Sequence, residues 1–254
     1  MLYHHQASPA YGRHREPRLS TNQLAEYLGA TPTRRATIIR DAKFPKIAQV
    51  ALYREARLAV ARHLCGSGDP DHIWRAIDRL KERSAEPDAS AWTIDDCRRS
   101  IDVLETFARL SNELGLGRFE FRIVSGTLPH LLIGGVSVSV SISATVHRTL
   151  RDGTRQVGGL TLFLSKAMTE DAASPERAAV SALLCFMFAE ERLKHLGVAD
   201  HKLCLALDVA GGRVFPAPKG QARRRKDMGH ACAEIARAWP TVLPPRDYDG
   251  PDLP

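Results

Sequence analysis

The stretch Leu131-Leu132-Ile133-Gly134-Gly135-Val136-Ser137-Val138-Ser139-Val140-Ser141-Ile142-Ser143-Ala144-Thr145-Val146 decides the fold class. From 136 to 143, Val and Ile alternate with Ser at every step. Successive side chains of a strand point to opposite faces, so a period of two predicts a half-buried strand and excludes a helix. β-Branched residues also suit a pleated surface. Outward from this stretch, Phe119 to Val124 alternates in the same way, and Arg151-Asp152-Gly153-Thr154 supplies a turn into a second strand over 156–166 through Val157, Leu160, Leu162 and Leu164. Pro175 opens an apolar helix reaching about residue 196, residues 202–209 form a buried strand turned by Gly211-Gly212 into Val214-Phe215, and a last helix covers 221–239.

The chain before Phe119 has helical periodicity instead. Ser20 or Thr21 caps a short helix with Leu24, Tyr27 and Leu28, closed by Gly29, and Thr31-Pro32 starts a second helix running to Lys43. A longer pattern follows Pro45, with Ile47, Val50, Ala51, Arg54, Leu58, Val60, Ala61 and Leu64 at helical spacing. Asp69-Pro70 opens a fourth helix, and Thr93 a fifth that Gly115 and Gly117 stop. Helices followed by grouped strands predict an α+β fold: a basic helical region over 20–117, then a mixed β-sheet domain packed with helices over 118–240. Residues 1–19 are expected to be a disordered arm, and the Pro-rich residues 241–254 a disordered tail.

Composition narrows the class. The 254 residues are 44% hydrophobic and 26% charged, which excludes wholesale disorder, collagen and small disulfide scaffolds. The longest apolar runs, 179–189 and 131–140, fall short of the roughly 20 residues that cross a bilayer. The opening Met1-Leu2-Tyr3-His4-His5-Gln6 lacks the apolar run of a secretory signal. Cys65, Cys97, Cys185, Cys204 and Cys232 are odd in number and widely spaced, as expected of reduced, mostly buried thiols. A cytoplasmic protein with no membrane partner is expected, and 28 Arg against eight Lys fits a GC-rich bacterial genome.

The net charge of +7 is segregated. Residues 1–65 hold 11 Lys and Arg against four Asp and Glu, whereas residues 66–254 hold 25 of each. A basic segment on a neutral body is the electrostatic footprint of a polyanion contact. A second basic run, Lys219 with Arg223, Arg224, Arg225 and Lys226, opens the last helix, where cations oppose the macrodipole by a few tenths of a kcal/mol each.

Residues 20–43 resemble a helix-turn-helix. Ala25 in the first helix and Gly29 four residues later match the family's small crossing residue and turn glycine. The resemblance implies that residues 33–43 are a recognition helix offering Arg34, Arg35, Arg40 and Lys43 to DNA. Ungapped, the family's spacing puts Arg35 where a buried Val or Ile stands. A turn longer by one residue puts Ala36 and Ile39 at the buried positions instead.

Residues 93–240 are similar in element order to the core of restriction-endonuclease-like nucleases. That family sets an acid on its second core strand, an acid-x-Lys triplet on the third, and often a Glu on the first helix, to hold a divalent metal that activates water. Lys166 falls at the family's Lys, and Glu105 lies on the preceding helix. The triplet here is Leu164-Ser165-Lys166, and residues 138–146 contain no Asp or Glu. The resemblance therefore implies a non-catalytic version of that core with no metal site.

Ten histidines show no ligand spacing, and the phosphate-binding and nucleophile-elbow glycine motifs are absent, so no cofactor is expected. Asp208 is expected to cap the Gly211-Gly212 turn. The sequence thus predicts a non-catalytic binder of DNA or RNA. Phosphate contacts are expected from Arg34, Arg35, Arg40, Lys43 and Lys46, with Lys166 and Arg223, Arg224, Arg225 and Lys226 as further anchors. The alternatives are a metal-dependent nuclease, or a scaffold subunit bound to protein partners in a larger nucleoprotein assembly.

Overall fold

The alternation at 136–143 governs burial as the sequence requires, yet it does not build one strand. The computed structural model of the chain describes residues 11–46, 52–66, 69, 71–164, 174–246, 248 and 250–253. Its elements run β1 (Arg13–His14), β2 (Arg18–Ser20), α1 (Thr21–Gly29), α2 (Pro32–Lys43), α3 (Arg54–Cys65), α4 (Asp71–Ser84), α5 (Ala91–Leu110), β3 (Glu120–Ile123), β4 (Leu131–Ile133), β5 (Val136–Ser139), β6 (Ala144–Thr149), β7 (Arg155–Phe163), α6 (Ser174–Arg192), β8 (Val198–Ala199), β9 (Leu205–Asp208), β10 (Arg213–Pro216), α7 (Ala222–Ala238) and β11 (Asp252–Leu253). Val136, Val138, Val140 and Ile142 are buried, and the intervening serines are half-buried or exposed. The fold is α+β, with mixed sheets and helices packed on them. No helix among the described residues is long and apolar enough to cross a membrane.

Contacts divide the chain into two compact units that the sequence order does not show. The first takes Met1–Val50, His130–Ser139 and Ala222–Pro254; the second takes Ala51–Pro129 and Val140–Gln221. The expected boundary at 117/118 is therefore not where the chain divides. The β4–β5 hairpin belongs with the N-terminal helices, and the helical residues 54–110 belong with the large sheet.

In the second unit the strand order is β10-β9-β7-β6-β3, with β8 added beside the start of β7. The pairs β3–β6, β6–β7 and β9–β10 are antiparallel. β7 and β9 are parallel, from Leu160↔Leu205 to Phe163↔Asp208. A parallel pair needs a crossover, and α6 supplies it. Phe107, Leu104, Ile77, Val146, Leu160 and Leu207 form the centre of one apolar core, all fully buried. Gly158 sits against the Leu203 carbonyl with no room for a Cβ, which lets the 3-10 turn His201–Leu203 lie on β7. α3 begins at Arg54, after Tyr53 in a left-handed conformation; residues 47–51, where the sequence places the start of a helix, lie outside the described residues. Cys97, Cys185, Cys204 and Cys232 are buried free thiols and Cys65 is half-buried; burial pushes the Cys232 thiol up to about 12.

The first unit is a three-stranded sheet, β2-β5-β4, carrying α1, α2 and α7. Ser20 and Gln23 form a reciprocal capping box at the start of α1. Gly134, at φ 53°, turns β4 into β5 directly under α7, where a Cβ would stand 2.6 Å from the Gly229 carbonyl oxygen. The arm and tail expected to be disordered are tied to each other instead. Residues 1–10 lie outside the described residues, but β1 pairs in parallel with β11. Asp252 accepts from Arg13 Nε at 2.5 Å and from Arg15 Nε at 2.7 Å.

Those two guanidiniums hold the Asp252 carboxyl down at about 2, first through their hydrogen bonds and then through their charge. An unfolded Asp titrates near 3.9, so the clamp contributes at every pH above that value and is lost as pH falls through about 2. Asp252→Asn is expected to speed hydrogen exchange of the Arg13 amide, which donates to the Pro251 carbonyl, at neutral pH. Unchanged protection would show that the carboxylate does not hold the strand.

Candidate nucleic-acid interface

α1 and α2 are joined through Ala30 and Thr31 alone and lie against each other, with Leu24, Ala25 and Tyr27 buried on α1 and Ile38, Ile39 and Ala42 buried on α2. Of the two positions that the lengthened turn would bury, Ile39 is buried and Ala36 is exposed, and Arg35 turns toward α1. A guanidinium is tolerated there because it finds partners. Arg35 Nε donates to the Tyr27 carbonyl at 3.1 Å, another of its nitrogens donates to Leu28 at 3.3 Å, and its carbon lies 5.1 Å from the Tyr27 ring centroid. It therefore satisfies carbonyls at the negative end of α1.

Lys43 is likewise taken by the fold. Only 8% exposed, its ammonium donates to the carbonyls of Trp239 (2.7 Å), Val242 (3.2 Å) and Pro240 (3.3 Å). Burial, reinforced by the nearby Arg13 charge, lowers its pKa. Two of the five N-terminal candidates thus serve structure rather than solvent. The other three are exposed. Arg34 Nε donates to Glu26 at 2.7 Å, Arg40 stands 3.4 Å from Asp41, and Lys46 bridges Tyr11 through its backbone only. Exposed pairs of this kind are worth about 0–1 kcal/mol, so a phosphate can displace the carboxylate.

At the start of α7, Arg223 is 94% exposed and 3.8 Å from Asp227, and Lys226 is exposed. Arg224 and Arg225 are half-buried and have partners of their own. No acid occupies the first turn of α7. These residues and Arg34, Arg40 and Lys46 belong to the same unit, although about 180 positions separate them in sequence. That unit holds 14 Lys and Arg against eight Asp and Glu, while the second holds 22 against 21. Residues 1–50 of the first basic run and residues 223–226 of the second therefore fall in one unit, a grouping that depends on long-range contacts and has no local signal, while Arg54, Arg57, Arg62 and Lys219 fall in the other.

The nuclease-like positions hold no cluster of acids. β6 carries none, Glu105 is exposed on α5, Leu164 is buried, and Lys166 lies outside the described residues. Where β7 ends beside the start of β6 stands Arg57, which donates to the Leu162 carbonyl at 3.2 Å and reaches Ser143 Oγ at 3.5 Å. Desolvation lowers the pKa of this guanidinium, and among the described residues no carboxylate pairs with it. Asp208, 1% exposed, accepts from the Gly211 amide at 2.9 Å and from Arg213 at 3.1 Å, as a turn cap does. No group of three or more His, Cys, Asp or Glu able to hold a metal occurs among the described residues. No protein-family model matches the sequence, and no curated protein matches it.

Lys43→Met keeps the stem and orphans three carbonyls, so it is expected to cost about 1–3 kcal/mol. Arg34→Ala, on an exposed pair, is expected to stay within about 0.5 kcal/mol. Urea unfolding followed by tryptophan fluorescence separates the two; equal midpoints would assign Lys43 no structural role.

Proposed function

We propose that the first unit binds DNA or RNA through phosphate contacts and that the chain acts without catalysis. The observation that carries this reading is that the sequence-distant basic residues of 1–50 and 223–226 belong to one unit with a net charge of +6. The α2 surface supports it. Thr33, Arg34, Ala36 and Arg40 are exposed, so small side chains alternate with guanidiniums on a face that a helix in a groove presents to nucleic acid. The first turn of α2 contains no acid, and Thr31 makes no side-chain cap, which leaves the positive helix end beside Arg34 open to a phosphate. The contacts assigned are Arg34, Arg40 and Lys46, with Arg223 and Lys226 from α7. Arg35 and Lys43 drop out because their donors are already bound to carbonyls. The non-catalytic part is supported by the β6–β7 end, where Arg57 donates to the Leu162 carbonyl and no carboxylate among the described residues pairs with it.

The test is fluorescence anisotropy with duplex DNA, single-stranded DNA and RNA across a salt series. Affinity should fall steeply with salt, and Arg34→Ala with Arg40→Ala and Lys46→Ala should reduce the logarithmic salt slope by about 2 to 3, roughly one per phosphate contact. Absence of binding to all three at low salt, or an unchanged slope in the triple variant, overturns the reading. Degradation of any of them that requires Mg²⁺ or Mn²⁺ and vanishes in Lys166→Ala overturns its non-catalytic part.

A further inference from the structure

We propose that the cleft between α3 and α4, in the second unit, is a separate phosphate-binding surface that grips a nucleic-acid backbone. The proposal rests on the nucleic-acid reading above but uses none of the residues assigned there. The cleft measures about 280 Å³ and is lined by Arg54, Leu58, Ala59 and Arg62 from α3 and by Arg79 and Arg83 from α4. Glu55 is the one carboxylate among its lining residues, and Arg79 Nε already holds it at 2.8 Å. Arg54, Arg62 and Arg83 are exposed and make no ion pair or side-chain hydrogen bond among the described residues.

An ordinary solvated helix face does not look like this. Elsewhere on α4, and on the neighbouring α5, charges pair within a turn: Arg75 with Asp71 at 2.9 Å on α4, and Arg98 and Arg99 with Asp95 at 2.8 and 2.7 Å on α5. In the cleft, unpaired guanidiniums from two helices face the same small volume, with Leu58 still 41% exposed between them. Like charges gathered in one concavity repel until an anion arrives, and the repulsion is relieved by what binds.

The spacing fits a backbone rather than a single small anion. Arg54, Leu58 and Arg62 lie at i, i+4 and i+8 on one helix face, as do Arg79 and Arg83 at i and i+4. Eight residues advance about 12 Å along a helix. One nucleic-acid strand rises about 3.4 Å per phosphate, so the row spans about three phosphates. Guanidiniums suit this role because their fork of donors matches phosphate oxygens in pairs.

The test compares the full chain with two variants, Arg54→Gln/Arg62→Gln/Arg83→Gln in the cleft and the Arg34/Arg40/Lys46 alanine triple in the first unit. Binding to duplex DNA, single-stranded DNA and RNA is read by anisotropy across salt. The glutamine triple is expected to keep its circular dichroism and thermal midpoint while its salt slope falls by about 2 to 3. The corresponding lysine triple, which retains the charge, should keep most of the slope. Ultraviolet cross-linking of the unaltered chain to RNA, followed by mass spectrometry, should place cross-links in peptides covering 54–62 and 79–83, whatever the variants' folding. If the unaltered chain binds but the glutamine triple matches it in affinity and slope, this inference fails and the function reading stands. If the unaltered chain binds no nucleic acid, both fail. If the triple loses binding to polyglutamate while nucleic-acid binding is unaffected, the cleft serves an acidic protein and the inference is overturned.

Discussion

One buried ammonium ties the N-terminal and C-terminal segments of the first unit to each other. That unit is assembled from three segments far apart in the chain, and no local propensity joins them. Lys43 ends α2 by donating to three carbonyls of residues 239–242, and the Trp239 indole returns the connection by donating to the carbonyls of His14 and Arg15. A buried cation is costly unless its donors are satisfied, so this position demands both a positive charge and a long apolar stem. With that side of α2 fixed, Arg34 and Arg40 remain on the side that faces water. The basic character of residues 34–46 therefore divides into a structural part and an exposed part, and only the second is available to a partner.

The fold class was legible in the sequence because burial follows periodicity. The valines and Ile142 of the 136–143 stretch are inside and the serines are not, even though pairing stops between Ser139 and Ala144. A period of two specifies which face is buried and leaves open which strand lies alongside. For that reason the division of one alternating stretch between two units left no trace in its pattern. The same limit explains the tail. Prolines at 244, 245 and 251 argue for disorder locally, but Asp252 is held by Arg13 across 239 positions.

The candidate contacts were legible as charges and illegible as roles. Arg34, Arg35, Arg40 and Lys43 look alike as a basic run on one helix. What separates them is the presence of carbonyls opposite Arg35 and Lys43, and these come from α1 and from residues near 240. The nuclease-like order of elements is a comparable case, since topology fixes neither ligand nor reaction. Arg57 places a cation at the β6–β7 end, a feature that the order of the strands does not reveal.

The charge surplus of residues 1–65 conceals a second division. Residues 1–50 carry a net +5 into the first unit, while residues 51–65 carry +2, through Arg54, Arg57 and Arg62 against Glu55, into the second. The second unit is nearly neutral in total, yet its α3–α4 cleft concentrates guanidiniums from both helices. At physiological ionic strength charges are screened over about 8 Å, so a partner responds to local arrangement and not to the sum over a unit. A near-neutral unit with one arginine-lined cleft and a basic unit with an exposed helix face are then two cationic surfaces of different construction. In the proposed function each would release counterions in proportion to the phosphates it touches.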